Sequence, residues 1–417
     1  MHRSFYLLLI GLLFTVSVSA ADSQVLTLDE AARLAVAHQP QFDAFDHASA
    51  AAREAAVAEA QLPDPVLRLG AQYVPITGSD ALRFDRDDMT MSTIGIMQDM
   101  VRTEKRQAAA NRMQAESEQW QLERAAEVRL VMRDAKLAWV DAYETAQRAA
   151  LYGQIATELA AERKVASKKI ATEAVAASEI FQLDTVLAGM SDRRIATENA
   201  SARARAQLSR WLGDAAFRPL PVMAADDHKA LMQPVRPVET SLENHPQLAV
   251  RRQAEQVASF DAQRARADRK PDWSWEVMYS HRLEGRSDML GFQIAVPLQL
   301  NQSNRQDRRL AEKLALVERA RSMALDQRRQ LRADFLAVRA DQEAAQARLL
   351  EHEERLIPAA RARLQMATAG YTAGTLPLSA VWEARRGAIE AESEHVMIQA
   401  ELLRAAIRYE YLTGNTP

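Results

Sequence analysis

Four short stretches of the chain alternate between apolar and polar residues. Leu67, Leu69, Ala71 and Tyr73 are apolar, while Arg68, Gly70 and Gln72 point the other way. Trp273, Trp275, Val277 and Tyr279 alternate with Ser274, Glu276 and Ser280, and Leu290, Phe292, Ile294, Val296 and Leu298 with Gly291, Gln293 and Ala295. A weaker run spans Met89 to Gln98. This period predicts strands with one apolar and one polar face. Elsewhere the period is helical: Leu310, Leu314 and Val317, then Leu331, Phe335 and Val338, step by three and four residues like a coiled-coil stripe. No Gly or Pro falls between Gly95 and Gly153, or between Pro297 and Pro358. Helices filling those stretches would be on the order of 85–90 Å long. A second helical arm returns in each half, to about Trp211 and about Thr413. The candidate turns are Ile170 to Ala174 and Tyr371 to Thr375, with Pro377 just beyond.

The chain also repeats itself. Pro40-Gln41-Phe42 is echoed by Pro246-Gln247-Leu248, and the same offset carries Pro65 onto Pro271 and Tyr73 onto Tyr279. A similar offset aligns Ser178-Glu179-Ile180-Phe181 with Ser379-Ala380-Val381-Trp382. Each copy opens with an alanine-rich helical segment, Leu28 to Gln61 and then Ser241 to Arg269, and continues into two strands and a long hairpin. The expected division is residues 1–20 as a signal peptide, 21–212 as the first repeat, 213–240 as a proline-bearing linker or equatorial segment, and 241–417 as the second repeat.

Composition supports long helices and excludes several functions. Charged residues make up 26% and aromatics 6% of the 417 residues, with only 13 Gly and 14 Pro, too little glycine for an all-β protein of this size. There is no cysteine, which removes disulfides, thiolate metal sites, cysteine nucleophiles and a lipid-bearing N-terminal cysteine. Arg and Glu are finely interleaved, so Arg305, Arg308 and Arg309 read as a solvated helix face and no nucleic-acid partner is expected. At the N-terminus, His2 and Arg3 precede an apolar run from Phe5 to Val18, and Val18-Ser19-Ala20 has the small-x-small form of a cleavage site. The expectation is a secretory signal cut after Ala20, or after Ala21.

Strands apolar on one face and polar on the other suit a barrel wall between lipid and water. Trp273, Trp275, Tyr279 and Tyr73 stand where interfacial girdles would lie. Four strands cannot close such a barrel, because open edges are not tolerated in lipid. Several copies must therefore contribute, and a twelve-stranded trimer is the simplest count. The helices are too polar for lipid and would project into the periplasm. The fold class expected is mostly α with a membrane β-barrel: a duplicated unit of two strands plus a helical hairpin, assembled as a trimer with an α-helical tunnel. An ordinary antiparallel sheet packed on helices would give the same alternation.

The opening Leu26-Thr27-Leu28-Asp29-Glu30-Ala31, then His38-Gln39-Pro40, together with the doubled order of strands and hairpins, resembles the TolC-like outer-membrane efflux protein family across essentially the whole mature chain. Leu62-Pro63-Asp64-Pro65, Met89-Thr90-Met91 through Gln98, and Glu104-Lys105-Arg106 look most like the branch serving heavy-metal pumps. Many members of that branch carry an N-terminal lipid, from which this cysteine-free chain departs. The resemblance implies a homotrimer in outer-membrane lipid, docked on a periplasmic adaptor (membrane fusion) protein and an inner-membrane pump of the resistance-nodulation-division type. It implies passive conduction, no enzyme activity and no cofactor. The alternatives are an outer-membrane factor for drugs or organic solutes, or a periplasmic coiled-coil or adaptor protein without a pore. The two hairpins and scarce glycine count against an adaptor.

The resemblance also places acidic residues just after the second tip turn, where three copies would pinch the tunnel. Glu383 falls at one such position and Ala380 replaces the other, while Glu179 and Gln182 are their first-hairpin equivalents. Glu383 and Glu179 are thus gate candidates, against the plainer reading of solvated helix residues. Ala174 and Gly374, in the tip turns, are the adaptor-contact candidates. Met89, Met91, Met97 and Met100 carry soft thioethers but read as strand filler. His38, His47, His245, His281, His352 and His395 lack ligand spacing, and His352-Glu353-Glu354 reads as solvent-facing. No metal site or catalytic motif is expected.

Overall fold

The computed structural model describes residues 25–37, 39–170, 177–221, 243–282 and 285–413. The proposed signal peptide with its cleavage at Ala20 or Ala21, His38, Ala174 and most of the 213–240 linker lie outside them.

The element order is α1 (Leu28–Ala37), α2 (Gln41–Glu59), β1 (Val66–Gln72), β2 (Met91–Met100), α3 (Thr103–Ile170), α4 (Ala177–Leu212), α5 (Pro246–Ala267), β3 (Trp273–Arg282), β4 (Met289–Ala295), α6 (Gln306–Glu351), α7 (Ile357–Thr372) and α8 (Leu378–Thr413). Helix, two strands and helical hairpin therefore occur twice in the same order. The chain is mostly helical with one small antiparallel sheet.

Several boundaries differ from the sequence expectation. The segment Leu28 to Gln61 is two helices, interrupted before Pro40 because the residue ahead of a proline is pushed out of helical conformation. Gly153 does not end a helix. It sits inside α3, whose 68 residues span about 100 Å. Pro358 does not end one either. A π-turn at His352–Leu356 joins α6 to α7 and leads into the proline at the second position of α7, where its missing N–H costs little. β4 stops at Ala295, short of Leu298, because Pro297 has no N–H to extend the ladder.

The strands pair in the order β1-β2-β3-β4. The central pairing of Met91–Met100 with Trp273–Arg282 joins the two repeats through ten residues of each strand. Directly opposed residues share a face, so the register sorts the side chains. One face carries Leu67, Leu69, Ile94, Ile96, Val277, Tyr279, Leu290, Phe292 and Ile294, all exposed. The other carries Arg68, Gln72, Thr93, Met97, Glu276, Met278, Ser280 and Gln293. Both connecting loops lie at one end of the sheet and all helices at the other. Trp273 sits at the helical end, Tyr73 at the loop end.

Where strands meet helices, the two repeats are clamped. Lys105 binds Asp272 at 2.9 Å and Asp268 at 3.3 Å, and Lys270 binds Glu104 at 3.0 Å. The Arg106 guanidinium donates to the Ala60 carbonyl at 2.5 Å, satisfying an acceptor at the end of α2.

The main core lies beyond this junction. Val131, Trp139 and Val140 of α3 pack with Leu208 of α4, Ala31 and Ala35 of α1, Leu26, and Leu403 and Ile407 of α8. Trp139 is 1% exposed, donates its indole N–H to the Leu26 carbonyl at 2.9 Å and stacks on Tyr143 with centroids 5.4 Å apart. A second core nearer the tips joins Tyr152, Ile155 and Leu159 of α3, Leu183 and Met190 of α4, and Trp382 and Ile389 of α8. On α6, Leu331, Phe335 and Val338 are buried against Tyr409 and Leu412 as the stripe predicts. Leu314, earlier on the same stripe, is 43% exposed. Among the described residues no helix is long and apolar enough to cross a membrane.

Candidate channel gate and hairpin tips

The second tip is built by a tight helix ending. The Gly370 carbonyl accepts from the backbone N–H groups of Thr375 at 2.9 Å and Leu376 at 3.2 Å, while Gly374 donates to Tyr371 at 3.0 Å. Gly374 has φ +74°, a left-handed conformation that glycine adopts without steric cost. Leu376 folds back so closely over Gly370 that a Cβ there would lie 2.6 Å from Leu376 Cδ1. Gly374 itself is exposed.

Glu383 is exposed in the second turn of α8. It opens onto a groove of about 580 Å³ between α7 and α8, shared with Arg363, Met366, Gly370, Leu376 and Ala380. Its neighbours in sequence, Trp382 and Ala384, are buried, so α8 turns the carboxylate away from the packed interior. Glu179 is half-buried in the first turn of α4. The two candidates thus stand on different hairpins, and among the described residues no ion pair or hydrogen bond links them.

The polar ties near the tips fall on residues that sequence reasoning passed over. Glu162 of α3 accepts the Trp382 indole N–H at 3.1 Å and pairs with Arg385 through its other oxygen. Arg193 of α4 binds Glu390 of α8 at 2.5 Å. Both ties join the first hairpin to the second. Within the first hairpin Arg163 binds Asp184, and this hydrogen bond holds the Asp184 carboxyl below its usual value. Farther from the tip, Arg404 reaches Asp141 at 2.7 Å and Glu144 at 2.5 Å. Tyr152 and Arg148 both donate to the buried Ser393 hydroxyl at 3.1 Å. No sequence spacing announces these pairs, since each partner lies on a distant segment.

The other singled-out residues scatter. Met91 and Met97 fall on the polar face of the sheet and Met100 on the apolar face, while Met89 precedes β2. His281 binds Asp288 at 2.8 Å at the loop end. His352 is not solvent-facing: it is half-buried in the π-turn, its Nδ1 shielded from water. Among the described residues no three His, Asp or Glu side chains gather as metal ligands.

No family model and no curated protein matches the sequence. Solved structures do. VceC, an outer membrane protein of Vibrio cholerae, superposes with a TM-score of 0.75 at 17% identity, over 93% of this chain and 96% of that one. CusC gives 0.77 at 13% identity, over 93% and 92%. The CmeC outer membrane channel of Campylobacter jejuni gives 0.77 at 10% identity, over 93% and 85%. The chain has the TolC-like outer-membrane channel fold. At these identities the likeness is one of fold.

Proposed function

We propose that the chain is one subunit of a homotrimeric outer-membrane channel, a passive conduit from periplasm to exterior that catalyses no reaction. One observation carries this reading. The four-stranded sheet exposes a continuous apolar face, a polar opposite face and two unpaired edges, β1 and β4. An apolar face of this size in water would invite aggregation, and open edges in lipid leave backbone groups unsatisfied. Pairing β4 of each copy with β1 of the next resolves both, and three copies close twelve strands. The exposed Leu314, Leu325 and Leu336 lie on one side of α6 and offer an apolar stripe for a neighbouring copy.

In this assembly the 21–212 and 241–417 repeats alternate around the tunnel, preceded by a removed signal at 1–20 and joined through 213–240. The tips carry the gate, with Glu383 and Glu179 as its acidic rings, and contact a periplasmic adaptor around Ala174 and Gly374. The adaptor links the channel to a proton-driven inner-membrane pump. The cargo we favour is heavy-metal cations, supported by the branch resemblance at Leu62–Pro65, Met89–Gln98 and Glu104–Arg106 and by a carboxylate at the tip. Drug or organic-solute efflux is the alternative.

The test is biochemical. The mature protein, extracted from outer membranes in detergent, should run as a heat-resistant trimer and give discrete conductance steps in planar bilayers. A monomeric, freely water-soluble product would overturn the reading. Sensitivity of a deletion strain to copper, silver, zinc, cobalt and cadmium, set against organic toxicants, decides the cargo.

A further inference from the structure

The polar face of the sheet carries four charged residues: Arg68, Asp99, Glu276 and Arg282. Two stand at the rims. Asp99 lies one residue from the end of β2 at the helical side, and Arg282 ends β3, donating to the Asp88 carbonyl at the loop side. Arg68 and Glu276 hold the middle, joined at 3.1 Å.

Their pairing is an unusual reach. Arg68 is on β1 and Glu276 on β3, with β2 between them, so the two backbones are two strand spacings apart, nearly 10 Å. The residue they cross is Gly95, which faces Arg68 on one side and Met278 on the other. A Cβ at Gly95 would stand 3.4 Å from the Glu276 carboxylate and 3.1 Å from the Val277 carbonyl. The carboxylate therefore packs directly against Gly95, the one position between the partners that carries no side chain. Arg68 also donates to the Met97 sulfur at 3.0 Å, which fixes the guanidinium over the carboxylate. The two partners meet solvent unequally: the Arg68 side chain is 55% exposed and that of Glu276 8%.

We propose that the Arg68–Glu276 pair forms a charge-balanced ring in the barrel stage, in which a guanidinium faces the lumen and masks the carboxylate beneath it, so that ions of both signs pass. This rests on the channel reading, which makes the polar face the lumen. Twelve strands tilted as in known barrels enclose a cylinder on the order of 24 Å across between backbones. Its radius is close to the Debye length of about 10 Å at 0.1 M salt. Three pairs at one level are then felt by any ion on the axis. With each carboxylate covered, the ring is nearly neutral and favours neither sign strongly. Removing the guanidinium uncovers three carboxylates and favours inorganic cations. Removing the carboxylate leaves three unpaired guanidiniums and favours anions.

The test is the reversal potential of the full-length trimer in a potassium chloride gradient, across planar bilayers, for wild type, Arg68→Gln, Glu276→Gln and the double variant. Each is also made in a Glu383→Ala background, so that tip carboxylates do not mask the barrel. Near 0.1 M salt, Arg68→Gln should raise the cation-to-anion permeability ratio severalfold. Glu276→Gln, an isosteric change, should lower it, and the double variant should return to the wild-type value. At 1 M, where screening acts within about 3 Å, the differences should collapse. Unchanged reversal potentials in conducting variants, or shifts of one sign for both single changes, overturn the balanced ring and leave the channel standing. A wild-type oligomer that never conducts overturns the channel itself. If Arg68→Gln does not form heat-resistant oligomers, the sign of the Glu276→Gln shift alone decides.

Discussion

Trp382 on α8 donates its indole N–H to Glu162 on α3 at 3.1 Å, tying the tip region of one hairpin to the other across 220 residues of sequence. The indole is 1% exposed, within the apolar cluster around Leu183 and Met190, while Arg385 takes the second carboxylate oxygen of Glu162. A buried donor and a charged donor thus share one acceptor. Glu162→Ala should remove both bonds and leave the indole N–H unpaired, at a cost of about 2–3 kcal/mol. The expected outcome is a looser tip with larger single-channel conductance, while trimer formation, which depends on the sheet, is unaffected. Equal conductance in both proteins would refute this role.

If the tips form the gate proposed above, Glu383→Ala should lower the cation preference of the assembled channel, because a ring of three carboxylates on a narrow axis attracts cations. Bilayer recording under a salt gradient checks it, and an unchanged conductance and ion preference would rule Glu383 out as the gate ring.

The second tip tolerates little change. Gly370→Ala places a methyl group against Leu376, and Gly374→Ala strains a left-handed residue by roughly 1 kcal/mol. Faster limited proteolysis within the Ala373–Pro377 turn is expected for both. The Gly370 change should also lower adaptor crosslinking at the tip.

Trp139→Phe keeps most of the core volume but leaves the Leu26 carbonyl without its donor, which costs about 1–3 kcal/mol. Trp139→Ala adds a cavity and should cost about 3–5 kcal/mol. Denaturant midpoints of the two variants should separate these contributions.

Stability should also fall with acid at one identified position. His245 is 1% exposed, and its Nδ1 accepts the Gln247 N–H at 3.3 Å at the start of α5. Burial, with the nearby Arg129 charge second, pushes its pKa down to about 4. An unfolded histidine titrates near 6.5, so between those values the unfolded chain binds the extra proton and stability rises with pH. The contribution, on the order of 3 kcal/mol, is complete above about pH 6.5 and is lost as pH falls toward 4. His245→Asn preserves a side-chain acceptor and removes the titration. A melting-temperature profile as steep as wild type between pH 6.5 and 4 would refute the assignment.

Most of the architecture was legible because it rests on local periodicity. The alternation at Leu67–Tyr73 and Trp273–Tyr279 marks strands wherever the sheet ends up, and the stripe Leu331-Phe335-Val338 finds its partner in α8. Breakers were less reliable. Gly153 costs a long helix only about 1 kcal/mol, too little to stop α3, and Pro358 is absorbed by a π-turn that no sequence period signals. The candidate site was less accessible to such reading. Glu383 was singled out only through the family resemblance, and the structure shows it exposed in the second turn of α8. The pairs Glu162–Arg385, Arg193–Glu390 and Arg68–Glu276 join segments far apart in the chain, and their residue types recur throughout a sequence that is 26% charged.

The π-turn at His352–Leu356 makes the two hairpins mechanically unequal. The outgoing arm of the first is one uninterrupted helix of 68 residues, a beam that bends only along its whole length. The corresponding arm of the second has a joint partway along, where a wider turn interrupts the regular ladder and Pro358 supplies no N–H to it. With the hairpins tied near their tips by Arg193–Glu390 and Glu162–Arg385, a load applied there would concentrate its bending at this elbow, where the helix ladder is weakest.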